Sequence, residues 1–200
     1  MSNELSKAER TRQFIIETTA GIFNTKGYAG TSLSDLTAAT GLTKGSIYGN
    51  FENKEEVALA VFDHNYSKMN KSIQQLIEKE TTYYDKLMVY AKFYHSFMRN
   101  FHTPGGCPIL NTAVEADDTN ALLKEKAANA VLKWKANIEG LIQGGIKAGE
   151  FKAGVDQTVI ALSIIALVEG GIMISRVTGT YANLDKVLTT VELMINQIRE

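Results

Sequence analysis

The nine residues from Thr43 to Phe51, TKGSIYGNF, combine small, hydroxylated and basic side chains between good helix formers. Two of them are glycines, and each weakens a helix interior by roughly 1 kcal/mol relative to alanine. That weakness is useful where a polyanion must approach the backbone closely, because Gly45 has no side chain to hold it away. Lys44 adds a positive charge and Ser46 a hydroxyl, and such groups contact phosphates and base edges.

Helix-capping signals delimit the elements that must position this segment. Ser6 opens a capping box for a first helix, which we expect to end at Gly27. Ser32 begins a second, short helix that ends at Gly41, and Thr43 begins a third. The spacing of the two short helices is that of a helix-turn-helix, in which the second helix lies in the DNA major groove.

Helix signals continue through the rest of the chain, and we find no convincing strand alternation. Asn53 is the expected cap of a fourth helix. Five further helices are predicted at Asp85–Phe101, Pro108–Ala116, Asn120–Lys147, Gln157–Val177 and Leu184–Ile198. The predicted fold class is therefore all-α with about nine helices, comprising a three-helix head (residues 1–53) and a larger helical body (residues 54–200).

The composition of the chain limits the kinds of site and the cellular compartment that we expect for this protein. The formal net charge is −1, so any nucleic-acid site must be local. Cys107 is the only cysteine, which excludes an internal disulfide and a cysteine-cluster metal site and fits a reducing compartment. The N-terminus lacks the apolar core of a secretory signal, and Glu169 and Arg176 interrupt the longest apolar run. We therefore expect a soluble, cytoplasmic protein.

The residue order in the head supports a more specific interpretation. The segments FNTKGY, TSL, GLTKGSIY and FENKEE, in this order, closely resemble the DNA-binding domain of TetR-family transcriptional regulators. The resemblance covers most of the first 60 residues. It implies that the chain binds double-stranded operator DNA through a set of residues at the second and third helices and at the start of the fourth: Ser32, Thr43, Lys44, Gly45, Ser46, Tyr48, Asn50 and Lys54.

Within that set, the resemblance assigns different tasks. Tyr48 and Lys54 correspond to phosphate-holding positions, and residues 43–46 to groove-facing ones. The two positions after Tyr48 are often aromatic or histidine in the family, whereas this chain has Gly49 and Asn50. Gly49 has no side chain for a phosphate, and Asn50 is expected to replace part of the contact. Three basic side chains near the N-terminus fit either DNA contacts or a solvated first turn: Lys7, Arg10 and Arg12.

The resemblance implies that the body binds a small-molecule effector and pairs as a homodimer through its last two helices. The sequence is consistent with the pairing, because apolar residues cover more than one face of the eighth helix: Ile160, Ile164, Leu167, Val168 and Ile172. A second molecule or an intramolecular core would bury the surplus. The pair Gly170-Gly171 permits close approach of another helix.

The body also carries an aromatic stripe at helical spacing, which suits either a packed core or the wall of a cavity for a flat or apolar ligand. Glu169 and Arg176 are polar anchors for such a ligand, or they pair with each other or across a dimer. The candidate ligand-binding residues are Phe62, Tyr66, Tyr90, Phe93, Tyr94, Phe97, Cys107, Leu110, Asn111, Trp134, Glu169 and Met173.

Cys107 has two interpretations. Pro108 suits the first position of a helix, so Cys107 is its expected cap, where the positive helix end favours a thiolate. The turn Gly-Cys-x-x-x-Asn is similar to one in TetR-like regulators that respond to electrophiles. Alternatively, Cys107 is a small buried side chain that packs the turn.

Three classes of function are compared. The leading one is a homodimeric repressor without a cofactor, released from its operator by a small molecule or an electrophile. The second is an enzyme that uses Cys107 with His95 or His102 as base, but the sequence lacks HExxH, P-loop, CxxC and strand-linked GxGxxG motifs. The third is a helical interaction module that does not bind DNA. We expect a regulator and no enzyme activity.

Overall fold

The computed structural model describes residues 6–100 and 105–200, and of residues 97–100 it describes the backbone only. Within these residues the protein is all-α, as predicted, with one isolated β-bridge between Phe151 and Arg199. The helices are α1 (Lys7–Gly30), α2 (Leu33–Thr40), α3 (Lys44–Tyr48), α4 (Lys54–Ile77), α5 (Tyr83–Asn100), α6 (Pro108–Ala116), α7 (Ala121–Lys147), α8 (Gln157–Thr178) and α9 (Ala182–Ile198).

Side-chain caps begin the helices where the sequence predicted them. Ser6 forms a full capping box with Glu9, and Thr43 Oγ1 accepts the N–H of Ser46 at 3.2 Å. These contacts satisfy backbone donors that have no partner within the helix. Three more predicted caps are formed in the same way, at Ser32, Asn53 and Asp156.

The predicted end of α1 was wrong. The helix breaks at Gly27, where φ is 72° and ψ is −179°, and it resumes as a further turn that ends at Gly30. A positive φ of this kind favours glycine, so the sequence signal was real but marked a break instead of an end. The added turn is held by side chains that lie far away in the sequence.

The described residues divide into two compact units that do not follow chain order. The first unit contains the described residues of Met1–Lys68 and Thr103–Ala128, and the second contains those of Met69–His102 and Asn129–Glu200. Helix α6 and the start of α7 therefore belong to the same unit as the helix-turn-helix. The expected domain boundary after residue 53 stays a prediction.

The core of the first unit packs α2 against α1 and α3 against α2. Ile15, Leu36 and Ile47 each have no exposed surface, and one such buried side chain contributes roughly 1.5–3 kcal/mol. A five-residue helix such as α3 is far too short to be stable alone. Its position therefore depends on the burial of Ile47 and on the Thr43 cap.

The second unit is built on the α8–α9 pair, with α5 packed on α9. Ile164, Val168 and Ile172 of α8 are fully buried. Gly171 brings the two helices together, since a Cβ added there would lie 2.8 Å from Leu184 Cδ1.

Helix α8 is also strongly apolar outside this contact. It is the one helix among the described residues that is long and apolar enough to cross a membrane, with a mean hydropathy of 2.1. Core helices of soluble proteins pass the same test, so this is weak support for a membrane span. The surplus apolar surface lies on a stripe at intervals of three and four residues, hereafter the free face of α8: Val159, Leu162, Ala166, Gly170, Met173 and Val177.

Candidate DNA-binding interface and effector region

Helix α3 turns its first residues to solvent while its middle is anchored in the core. Lys44 and Gly45 are exposed, whereas Ser46 and Tyr48 are half-buried beside the fully buried Ile47. A Cβ added at Gly45 would have one neighbour, Thr43 Oγ1 at 4.0 Å. Packing within the described chain therefore gives no reason for a glycine at this position.

The C-terminal end of α3 is fixed by contacts with α1. The Asn50 side chain donates to Ser46 O at 2.9 Å, and Arg12 Nη1 donates to Asn50 O at 2.5 Å. The Arg12 guanidinium also pairs with Glu56 at 2.7 Å and lies 4.0 Å from the centre of the Phe51 ring. The Glu52 N–H and then Arg12 lower the pKa of Glu56. Arg12 thus positions the C-terminal end of α3 from within the first unit.

Ser32 caps α2, and its hydroxyl makes two hydrogen bonds with Asp35, one to the backbone and one to the carboxylate. Its hydroxyl accepts the Asp35 N–H at 3.1 Å and donates to Asp35 Oδ2 at 2.8 Å. Lys26 Nζ lies 2.6 Å from Asp35 Oδ1, and this contact, followed by those of Ser32, lowers the pKa of Asp35 to about 2. Ser32 itself remains exposed at the surface of the first unit.

Lys54 has contacts that the sequence did not suggest. Its Nζ donates to Tyr28 O at 2.8 Å and to Thr31 O at 2.9 Å, and it lies 4.3 Å from the centre of the Tyr28 ring. Two of the three ammonium N–H groups therefore donate to carbonyls of the turn that follows the break in α1. A phosphate contact by Lys54, as predicted from the sequence, would use the one remaining N–H of its ammonium group.

Glu115 of α6 is a functional candidate that sequence reasoning missed. Its carboxylate accepts the N–H of Tyr28 and that of Ala29, both at 2.8 Å. These donors lie 87 and 86 residues away in the sequence, so no local pattern indicates the contact. The carboxylate also lies close to Gly27, because a Cβ added there would lie 2.4 Å from Glu115 Oε2 and would displace it.

Amide groups extend the contact between α6 and α1. Asn111 donates to Asn24 O at 2.9 Å and to Gly105 O at 2.7 Å, and Asn24 donates to Gly106 O at 3.0 Å. Asn111 was predicted to bind ligand, and the structure uses its amide to join the turn before α6 to α1.

The remaining candidate ligand-binding residues of the first unit lie at the start of α6 and in α4. Cys107 occupies the predicted N-cap position of α6, with 1% of its surface exposed, and Leu110 is half-buried. Phe62 and Tyr66 stack at 6.2 Å between ring centres. Burial raises the pKa of the Tyr66 phenol, whose buried oxygen has no hydrogen-bond partner in the described part of the chain.

The second unit contains a buried aromatic cluster, defined here as Tyr90, Phe93, Tyr94 and Trp134. Trp134 stacks on Tyr94 at 5.7 Å and on Tyr90 at 6.3 Å, and Phe93 meets Tyr94 edge-on at 5.0 Å. The indole Nε1 of Trp134 is buried, and among the described residues it has no hydrogen-bond acceptor. A buried donor of this kind is costly unless it finds a partner.

Three predicted ligand residues lie outside this cluster. Met173 is 48% exposed and belongs to the free face of α8, and Glu169 is half-buried on the same helix. The side chain of Phe97 lies outside the described residues, as does His102. The other candidate base, His95, contacts Asp185 at 2.8 Å and Glu192 at 3.5 Å.

No group of three or more His, Cys, Asp or Glu side chains in the described ranges could hold a metal ion.

Comparison with known families supports the first of the three classes of function, the DNA-binding regulator. A model of the bacterial regulatory proteins of the tetR family matches residues 15–61, which contain α2 and α3. A model of the tetracyclin repressor-like C-terminal domain matches residues 84–191, more than half of the chain. The chain belongs to the TetR family. It is a DNA-binding transcriptional regulator, as the sequence predicted.

Similar proteins agree with this TetR-family assignment over nearly the whole chain. A TetR-family regulator from Cytophaga hutchinsonii is 50% identical, with 98% of each chain covered and a TM-score of 0.93. The transcriptional repressor DhaR of Mycobacterium sp. (strain GP1) is 24% identical over 90% of this chain and 89% of its own. The CifR cysteine mutant, solved with 26-bp double-strand operator DNA, shares the fold at 15% identity, with a TM-score of 0.77 over 93% of this chain and 95% of CifR.

The two lysines of the helix-turn-helix region should behave differently when replaced by alanine. Lys54→Ala leaves two carbonyls without their donor and should lower the free energy of unfolding by about 1 kcal/mol. Lys44→Ala, at an exposed position, should change it by less than about 0.5 kcal/mol. It should instead reduce the slope of log affinity for DNA against log salt by about 0.9.

Urea unfolding and DNA titrations at several salt concentrations measure both effects. A Lys54→Ala variant of unchanged stability that loses salt dependence would show that Lys54 contacts phosphate and would contradict this assignment.

Proposed function

We propose that this TetR-family protein is a homodimeric repressor whose two α3 helices enter successive major grooves of one operator, and that an effector bound in the second unit releases it. The supporting observation is the open space at Gly45. A glycine that costs helix stability, and that no neighbour in the described chain requires, is best explained by a partner outside the chain.

Groove entry at Gly45 suits the chemistry around it. An exposed backbone at the start of a helix can approach a sugar-phosphate or a thymine methyl group within van der Waals distance. Lys44 next to it supplies charge for a phosphate. We expect the set predicted from the sequence to divide into direct contacts at Lys44, Gly45 and Tyr48 and helix caps at Ser32 and Thr43.

Gly45→Ala should separate DNA binding from stability. The methyl group has space within the chain, so the free energy of unfolding should stay equal or rise by up to about 1 kcal/mol. The same methyl should push the groove away and weaken operator binding by roughly tenfold or more. Binding is measured by fluorescence anisotropy on duplexes that the wild-type protein selects from a random pool.

Gly140→Ala is the matched control, because a Cβ added there also meets nothing within 4 Å but lies in α7 of the second unit. It should not change DNA affinity. Wild-type affinity in Gly45→Ala would refute close groove approach at this residue.

The proposed dimer interface is the free face of α8 together with α9. Four of its residues are large hydrophobics with 46–81% of their surface exposed: Val159, Leu162, Met173 and Val177. Gly170 lies in the same stripe, and a Cβ added there meets nothing within 4 Å, so a facing helix can come close. A continuous apolar stripe of this kind favours association with a second chain.

Charge placed on the free face of α8 should prevent dimer formation. The double substitution L162E/M173E would place two carboxylates in the apolar contact, so the variant should sediment as a monomer where the wild type sediments as a dimer at micromolar concentration. It should also bind a two-half-site operator at least about tenfold more weakly. Leu132→Glu, at an exposed leucine of α7, is the control and should remain dimeric. A dimeric double variant would place the interface elsewhere.

The proposed effector site is the aromatic cluster of the second unit. Buried aromatic rings suit a flat, largely apolar ligand, and the Trp134 Nε1–H, which has no acceptor among the described residues, suits a ligand with a hydrogen-bond acceptor. An electrophile that acts on Cys107 is the alternative route of release. Burial of this thiol speaks against it unless the turn at residues 105–107 opens.

Trp134 is the only tryptophan, so its fluorescence reports directly on this cluster. A compound that releases the wild-type protein from DNA should change the Trp134 emission, and Trp134→Phe should weaken its binding roughly tenfold through loss of the N–H donor. Cys107→Ser should retain release. Release without a change in emission, abolished in Cys107→Ser, would favour the electrophile instead.

A further inference from the structure

The short segment between the break in α1 and the start of α2 is held at both ends by opposite charges. Just after Gly27, the N–H groups of Tyr28 and Ala29 both donate to the Glu115 carboxylate. The carbonyls of Tyr28 and Thr31 accept from Lys54. An anion at the amide end and a cation at the carbonyl end both complement the dipole of a helical turn.

This segment, hereafter the connector (residues 28–31), leads directly into the helix-turn-helix. Ser32 caps α2 immediately after it, and α2 packs against α3. A rotation of the connector would therefore change the direction in which α2 and α3 leave α1. Lys54 reaches the connector from α4, whereas Glu115 reaches it from α6.

Packing around the Glu115 contact is incomplete. A small cleft of about 20 Å³, lined by Asn24, Tyr28, Asn65, Thr112 and Glu115 among others, lies beside it. A space of this size holds about one water molecule. The carboxylate hydrogen bonds therefore provide a direct polar link between the connector and α6 beside this cleft.

We propose that Glu115 is a positioning residue for DNA binding: through the connector, its carboxylate lets α6 set the direction of the helix-turn-helix. The inference deepens the proposed function and rests on it, because it names the contact through which a shift of α6 alters the separation of the two α3 helices. A charge-assisted pair of hydrogen bonds suits this task, since it is strong when aligned and is lost over a small displacement.

The test compares Glu115→Gln with wild-type protein on selected operator duplexes and on the same duplexes lengthened by one base pair between half-sites. Glutamine has no charge and only one acceptor atom, so hydrogen exchange of the Tyr28 and Ala29 amides should accelerate by roughly tenfold or more. Discrimination between the two duplex lengths should fall by at least about threefold, because a looser connector tolerates other half-site separations.

Two further variants extend the test. Gly27→Ala places a methyl group against the same carboxylate and also strains the positive-φ backbone of the break, so it should give at least the same loss of length discrimination. Glu125→Gln removes an exposed glutamate from α7 of the same unit and should change neither readout. Thermal unfolding followed by circular dichroism confirms that each variant is folded at the assay temperature.

Each outcome has one meaning. Loss of length discrimination in both Glu115→Gln and Gly27→Ala supports the proposal. Wild-type discrimination in folded variants with accelerated amide exchange overturns it, as does unchanged amide exchange in Glu115→Gln. A wild-type protein that selects no DNA sequence would instead overturn the proposed operator binding and, with it, this use of Glu115.

Discussion

The rest of the first unit is arranged around one constraint, the break in α1 at Gly27, which lies just before the helix-turn-helix. The break frees two amide groups in the middle of a helix, and such groups must be satisfied if they are shielded from water. Glu115 satisfies them from α6, while Lys54 satisfies the carbonyls at the other end of the connector. The helix-turn-helix is thereby tied to two helices that a local three-helix domain would not contain.

The same internal contacts limit the number of basic side chains that a regulator with a net charge of −1 can offer to a polyanion. Several basic side chains near α3 have partners within the first unit: Arg12 with Glu56, Lys26 with Asp35, and Lys54 with the connector. We therefore expect attraction to DNA to rely on a few directed groups on an exposed backbone surface. Such an interface should depend strongly on the correct spacing of its two copies.

Most of the confirmed predictions of helix caps and helix bounds rested on local sequence signals. Ser6, Ser32, Thr43 and Asn53 were identified as caps because capping depends on residues within three positions of each other. The start of α6 at Pro108 and its end at Ala116 were predicted for the same local reason. The all-α class and the family followed from such short-range patterns, whose energies are decided within one or two helical turns.

Tertiary structure decided what these residues contact. The sequence marked Gly27 as special but could not show that a carboxylate from α6 approaches it, since that contact depends on how helices far apart in the chain pack. Lys54 and Asn111 have the chemistry of binding residues, yet the fold brings backbone carbonyls to both. The sequence by itself thus determined the all-α class, most helix starts, the glycine at α3 and the family. Only three-dimensional packing determined that α1 continues past Gly27 and which polar side chains have partners within the chain, because such pairing depends on what lies nearest in space.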